Sequence, residues 1–300
     1  MADIQYHTRF YTSDGIVRLE KYFNGESEII HDSFIHTKHF FRSYSDLILC
    51  AEKGPFSESA KGFRSSATDN DSFGASTFEE AIKKAWYGDR EILKAVRESR
   101  DQIVRQLNDT TYVQDWQYSE SGAGVDVAKF VTGQPDCMFD ILPTEKKSIT
   151  IAINFSYCWN YSHAQVIAAG AAVFIIAEWF HRNRYNVRIV GDEVCQRNGK
   201  YYWLSFPIKE YHQPFDTGRI AFILAHPGFL RKVIFAVNDS TGDDVRDCFG
   251  FHSGGCYGSV STKVLTDAQI KLNMQTLCDN ADTIQKSVDF IKGIIAKKYD

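Results

Sequence analysis

Apolar residues are densest between residues 148 and 183. "KSITIAINFS" alternates β-branched and small residues and predicts a core strand. "CMFDILP" just before it predicts another, across a polar turn at Thr144–Lys147. His163 to Asn183 is so rich in Ala, Gly, Val, Ile and Phe that it predicts a helix with most of its surface covered. Gly170, Ala171 and Ala172 allow that helix to approach the strands closely. "YNVRIVGDEVC" and "YYWLSFPIKEY" predict a strand pair, with Asn198–Gly199 as the tight turn between them. "TGRIAFILAHPGFLRKVIFAVND" predicts a helix kinked where Pro227 removes a backbone donor, with His226 capping the freed carbonyls. Thr266 to Lys298 predicts one or two amphipathic helices.

The first third is less regular. Residues 1–50 mix aromatic and polar positions, with an amphipathic spacing at Ile16, Leu19, Tyr22 and Phe23. Residues 51–76 are rich in Ser, Gly and charge and predict a loop or linker. Ser76 to Glu79 fits a capping box for a helix that carries Ala81, Ile82 and Ala85 on one face. A second helix follows from about Asp89 to Leu107, broken from the first near Gly88. The element order predicts an α/β fold with a mainly parallel sheet covered on both faces and an antiparallel edge hairpin, preceded by an α-rich N-terminal part.

Composition narrows the setting. Apolar residues at 44% and aromatics at 14% of 300 residues supply a sizeable core and exclude a disordered chain. A net charge of −4 gives no global attraction to nucleic acid or anionic membrane. Seven scattered cysteines do not form a disulfide framework and point to a reducing cytoplasm. "MADIQYHTRFY" lacks the apolar core of a signal peptide. The apolar run Val166–Ala177, about twelve residues, is too short to span a bilayer.

The first core strand ends in Asn154-x-Ser156-x-Cys158. Some α/β domains hold a divalent metal at this place with an Asp and two serines. With the apolar helix and hairpin that follow, residues 137–300 resemble the von Willebrand factor A domain, of Rossmann-type architecture. "STFEEAIKKAWYG", "GVDVAKFVTGQPDCMFDI", "GAAVFIIAEWFHRNRYNVRIV" and "RIAFILAHPGFLRKVIFAV" are similar to an uncharacterised A-like family of bacteriophages and mobile elements. The resemblance implies a division into an N-terminal extension with polar linker (1–75), a helical segment (76–110) and an A-like domain (111–300). It carries the Mg²⁺-binding positions onto Asn154, Ser156 and Cys158, with Thr217 or Asp216, and Asp239 or Asp243. Asn154 lacks the charge and Cys158 the hardness that Mg²⁺ favours, so the implied site is degenerate, holding neither metal nor cofactor. It further implies a protein partner, of which a ring-forming ATPase is one kind.

Other chemistry is sparse. Cys248-x3-His252-x3-Cys256, with His226 or Asp247, lacks the second close pair of a zinc site and reads as a Gly-rich surface loop. Phe249–Gly258 lacks the Lys-Ser/Thr of a phosphate loop. Cys158 stands near a helix N-terminus, where thiols turn reactive, but among aromatics that predict burial. No nucleophile–base–orienter set emerges. "FIHTKHFFRSY" and "WFHRNRYNVR" place Lys38, Arg42, Arg182 and Arg184 beside aromatics, of which Phe40 and Phe41 are the stacking candidates for a nucleic acid. The leading expectation is a non-enzymatic binding or scaffold protein. Second is a nucleic-acid-binding accessory factor for single-stranded DNA or transcription, and third an enzyme of unknown type.

Overall fold

The computed structural model describes residues 7–11, 17–21, 28–32, 36–54, 77–107, 117–119, 124–125, 130–131, 138–140, 147–158, 160–183, 185–197, 200–241, 243–251, 259–281 and 284–295. Four strands open the chain: β1 (His7–Tyr11), β2 (Val17–Lys21), β3 (Glu28–Asp32) and β4 (His36–Phe40). Val17–Lys21, within the amphipathic stretch noted around Leu19, is thus a strand. β5 (Gln117–Ser119), β6 (Gly124–Val125) and β7 (Met138–Asp140) form a small sheet of their own. The strand predicted in "CMFDILP" is therefore real but does not pair with its successor.

The main sheet is mixed. β8 (Ser148–Asn154) pairs in parallel with β9 (Asn186–Arg197), from Ser148↔Asn186 to Asn154↔Asp192. β9 pairs antiparallel with β10 (Lys200–Lys209), as the hairpin signal predicts, although Asn198 and Gly199 lie outside the described residues. The hairpin is not at the edge: β10 carries β4 in parallel, and β4 carries β3. β11 (Ser259–Val260) joins β9, and β12 (Ile270–Asn273) pairs in parallel with β8. β12 was hidden in sequence because "QIKLNMQTL" runs without a break into the next helix and shares its amphipathic spacing.

The helices begin with α1 (Tyr44–Lys53), whose first turn is capped where Ser43 Oγ accepts from Asp46 N at 3.1 Å. α2 (Phe78–Tyr87) is capped by Thr77, one residue past the expected Ser76, with Oγ1 accepting from Glu80 N at 3.1 Å. Gly88 separates it from α3 (Arg90–Leu107) at φ +80°, and a Cβ there would sit 2.7 Å from the carbonyl carbon of Gly218. α4 (His163–Arg182) starts with a capping box of Ser162 and Gln165. α5 (Thr217–Ala225) ends at the predicted proline break, and the chain turns by 77° into a π-helix (Phe229–Ile234) continued by α6 (Phe235–Asp239). His226 caps an amide there, not carbonyls: its Nδ1 accepts from Gly228 N at 2.9 Å. α7 (Asp243–Phe249), α8 (Met274–Asn280) and α9 (Ile284–Ile295) complete the set.

Strand alternation sorts the sheet into two unlike faces. Ile149, Ile151 and Ile153 of β8, Val187 and Ile189 of β9, and Tyr202, Leu204 and Phe206 of β10 join one hydrophobic core with residues of every described helix, α1–α3 included. The helices ahead of β8 thus pack into the same core as those after it. Ala152, Val190 and Val194 on the opposite face are buried but lie outside that core. The expectation of helices on both faces is therefore corrected: the described helices share one side. Residues 261–269 cross the other as an irregular strap.

α4 is the central helix, with Ala171–Ala177 buried throughout. Gly170 faces α5, not the strands, its nearest neighbours being Leu224 and Ala225. By length and composition His163–His181 could cross a membrane, and the fold buries most of it.

Candidate functional site

At the end of β8 the polar side chains are used to hold the chain's own backbone. Asn154 is fully buried. A primary amide has two donors and one carbonyl. Asn154 Nδ2 donates to Ser261 O at 2.7 Å and Lys263 O at 2.6 Å, while its Oδ1 accepts from Ser156 N at 2.8 Å. Ser156 Oγ donates to Val194 O and accepts from Val194 N, each at 2.9 Å, bridging β8 to β9 beyond their last ladder pair. Next along the row, the buried Asp192 accepts from Thr266 N at 3.0 Å and Thr266 Oγ1 at 2.6 Å. Ser205 Oγ stands 3.2 Å from Thr266 Oγ1. Asn154, Asp192 and Ser205 thus clamp the strap across three strands. Asp192 and Thr266 were missed in sequence, although an acid inside the apolar run "RIVGDEV" was the available signal.

These contacts change the expected consequence of restoring an acid. A carboxylate at position 154 would face two carbonyl oxygens with no donor between them, and buried acceptors left facing each other are costly. Asn154→Asp is expected to destabilise by about 2–3 kcal/mol, with no recovery in millimolar Mg²⁺. Denaturant unfolding with and without the ion decides this; Mg²⁺-dependent stabilisation of the variant would show that the carboxylate recruits a cation instead.

Of the other implied positions, Asp216 and Thr217 lie toward the later half of α4. Thr217 opens α5 behind its N-cap Asp216, beside Gly88. Phe215, two residues earlier, packs on Phe174 and His181 in the later half of α4, whereas Cys158 precedes that helix's start. Thr217 therefore sits toward the later half of α4, whereas Asn154 precedes its start. Asp239 is buried at the end of α6, and the side chain of Asp243 lies outside the described residues. Cys158 is half-buried. Among the described residues no three or more His, Cys, Asp or Glu side chains are placed to hold a metal.

Beside the clamp, Tyr157 is buried and its ring carries the Arg231 guanidinium at 5.2 Å from the centroid. Arg231 also lies over Phe235 at 5.5 Å and donates from Nη2 to Tyr157 O at 3.3 Å. On the core face Asn238 Nδ2 donates to both Glu193 oxygens at 2.9 Å. Burial pushes the Glu193 carboxyl up to about 8, against the smaller pull of Asn238 and Arg231. Tyr202 and His39 meet nearby, Nδ1 to hydroxyl at 3.1 Å, and burial lowers His39 to about 3.

A second polar cluster surrounds the proline break. His226 Nε2 is 3.8 Å from Asp89 Oδ2, which is 3.0 Å from Lys84 Nζ. Asp89 Oδ1 caps α3 by accepting from Glu91 N at 2.8 Å and Ile92 N at 3.2 Å. Burial lowers His226 to about 4; Lys84 and His163 act in the same direction, Asp89 and Glu80 against it. With Nδ1 already accepting from Gly228, the imidazole has no free lone pair to serve as a base, so this group reads as a joint between α2, α3 and α5.

Of the basic–aromatic positions, Phe41 is buried in the core and cannot stack on a ligand. Phe40 is half-buried on the opposite face, edge-on to Trp203 at 4.9 Å. Arg42 is exposed, and Arg188 pairs with Glu210 at 3.0 Å. The side chains of Lys38 and Arg182, and Arg184 entirely, lie outside the described residues, as do His252 and Cys256 of the cysteine–histidine motif.

A family model described as Domain of unknown function (DUF7192) matches residues 24–294. The chain belongs to this family. The match runs from just before β3 through α9, so every described element ahead of β8 except β1 and β2 lies within the same family unit. No curated protein and no solved structure matches the chain.

Proposed function

We propose that this chain is a non-enzymatic binding or scaffold protein that acts through protein–protein contact. One observation carries the reading: Asn154, Ser156 and Asp192 at the strand ends, where α/β folds place their chemistry, spend their hydrogen bonds on the chain's own backbone and on the strap. The Asp89–His226 cluster is likewise engaged in joining helices. In this reading the fold is von Willebrand A-like with a degenerate metal site. The order β12-β8-β9-β10 and the long helix after β8 support that likeness. A bacteriophage or mobile element is the proposed source, the host cytoplasm the place, and a ring-forming ATPase the first partner class to test. Tagged full-length chain should retain a stoichiometric protein partner from its native host after nuclease treatment. Retention of nucleic acid alone would overturn the proposal.

A second reading, nucleic-acid binding, is favoured by the sheet face away from the helices. Phe40, Tyr201 and Trp203 are half-buried there, and Lys263 Nζ lies 4.3 Å from the Tyr201 centroid. Removing one cation that neutralises a phosphate flattens log affinity against log salt by about 0.7 for a single strand. Lys263→Ala with Arg42→Ala should therefore lower the slope by roughly 1.4 if this face binds single strands. An unchanged slope leaves the protein-partner reading.

A further inference from the structure

We infer that Arg231 and Tyr157 form a binding site for a small oxyanion, a phosphate or carboxylate group, at the end of β8. The inference goes beyond the proposed scaffold role and stands whether or not a protein partner is found. Arg231 is a half-buried cation whose described contacts are one 3.3 Å bond to Tyr157 O and the ring faces of Tyr157 and Phe235. Among the described residues no carboxylate comes within ion-pair distance of it. Glu193 feels the Arg231 charge, but that carboxyl is sealed in the core on the amide of Asn238. Asp279, on the flank, is taken by the Tyr161 hydroxyl at 2.6 Å.

An arginine held by aromatic faces keeps its N–H edges for other acceptors, and that planar fork matches the two oxygens of a carboxylate or phosphate. The second observation is Tyr157 itself. Its residue is 6% exposed, and its hydroxyl is buried with no aligned hydrogen-bond partner, although Arg231 lies beside it. A buried hydroxyl without a partner is costly, and an oxyanion on Arg231 supplies the acceptor it lacks. The π-helix positions the guanidinium: the wider turn begins just after the proline break and directs Arg231 back over the strand end while Lys232, beside it, is buried. Wide turns of this kind recur at functional sites.

Binding is tested with inorganic phosphate and with glutarate, each titrated into the full chain in chloride buffer and read by calorimetry. Saturable binding of at least one is expected, and which of them binds identifies the oxyanion. Arg231→Lys keeps the charge but not the fork and should weaken binding about tenfold; Tyr157→Phe should weaken it about threefold. If those variants fold poorly, the wild-type protein still decides: phosphate or glutarate should protect Arg231 from phenylglyoxal, read on its peptide by mass spectrometry. No saturable binding by the wild type, equal binding by Arg231→Lys, or no protection of Arg231 would overturn the site.

Discussion

Replacing Gly170 by leucine is expected to destabilise the protein by at least about 3 kcal/mol, a large share of the 5–15 kcal/mol typical of a folded domain. A Cβ at position 170 would lie 2.6 Å from both Ala225 Cβ and Leu224 O, and 2.7 Å from Ala225 Cα. Two of these three atoms are backbone, so no rotamer change relieves the contact. The helices α4 and α5 would have to separate, and both are buried between sheet and outer helices. Helix propensity pulls the other way: Gly→Ala in a helix interior gains about 1 kcal/mol. Gly170→Ala therefore separates the effects. Close packing makes it destabilising, whereas propensity alone would make it stabilising. Urea unfolding of both variants gives the answer, and an alanine variant more stable than wild type would mean the helices do not cross this closely.

Glu193→Gln is expected to remove the alkaline loss of stability. The Glu193 carboxyl sits at about 8 in the folded chain against 4.5 as its ordinary value, because burial disfavours its charge. Between those values the folded protein holds a proton that the unfolded chain has released, so stability falls as pH rises, by about 1.4 kcal/mol per pH unit. Across the window this amounts to several kcal/mol, on the order of 4. His39 and His226 act on the acid side. Burial holds them at about 3 and about 4 against 6.5, so the unfolded chain gains protons first as pH falls below 6.5. Their stability contribution is full above 6.5 and declines toward those lower values. Wild type should thus be most stable near pH 6.5, with Tm falling on both sides. The glutamine keeps an oxygen for Asn238 and cannot ionise, so its Tm should stay level from pH 6.5 to 8.5 while wild type declines. Parallel alkaline limbs in the two proteins would show that another group titrates there.

Local pattern determined much of this fold. The β-branched run of β8, the turn residues between β9 and β10, the unbroken apolar character of α4 and the proline after α5 each fix an element from within a few neighbouring residues. Their physics is backbone restriction and periodic burial, which sequence displays directly. Strand order, the single helical face and the strap depend instead on contacts across long separations. "IKLN" becomes a strand only because β8 offers it an open edge, and residues 16–23 carry a helical spacing while Val17–Lys21 pairs with β1.

The same division runs through the site. Asn154, Ser156 and Cys158 were legible as a motif without the charge and hardness that Mg²⁺ favours, but what two of them now do was not. Asn154 meets carbonyls 107 and 109 residues away, and Asp192 meets Thr266 across 74. In sequence Arg231 is only one charge of the apolar stretch that follows Pro227. Its place over Tyr157 is set by a 77° turn and a π-helix, and a proline announces a break without fixing its direction. Sequence determined which groups this chain possesses. Tertiary structure decided which of them face one another, because a buried donor or acceptor takes its role from the partner that replaces water, and that partner is chosen by packing.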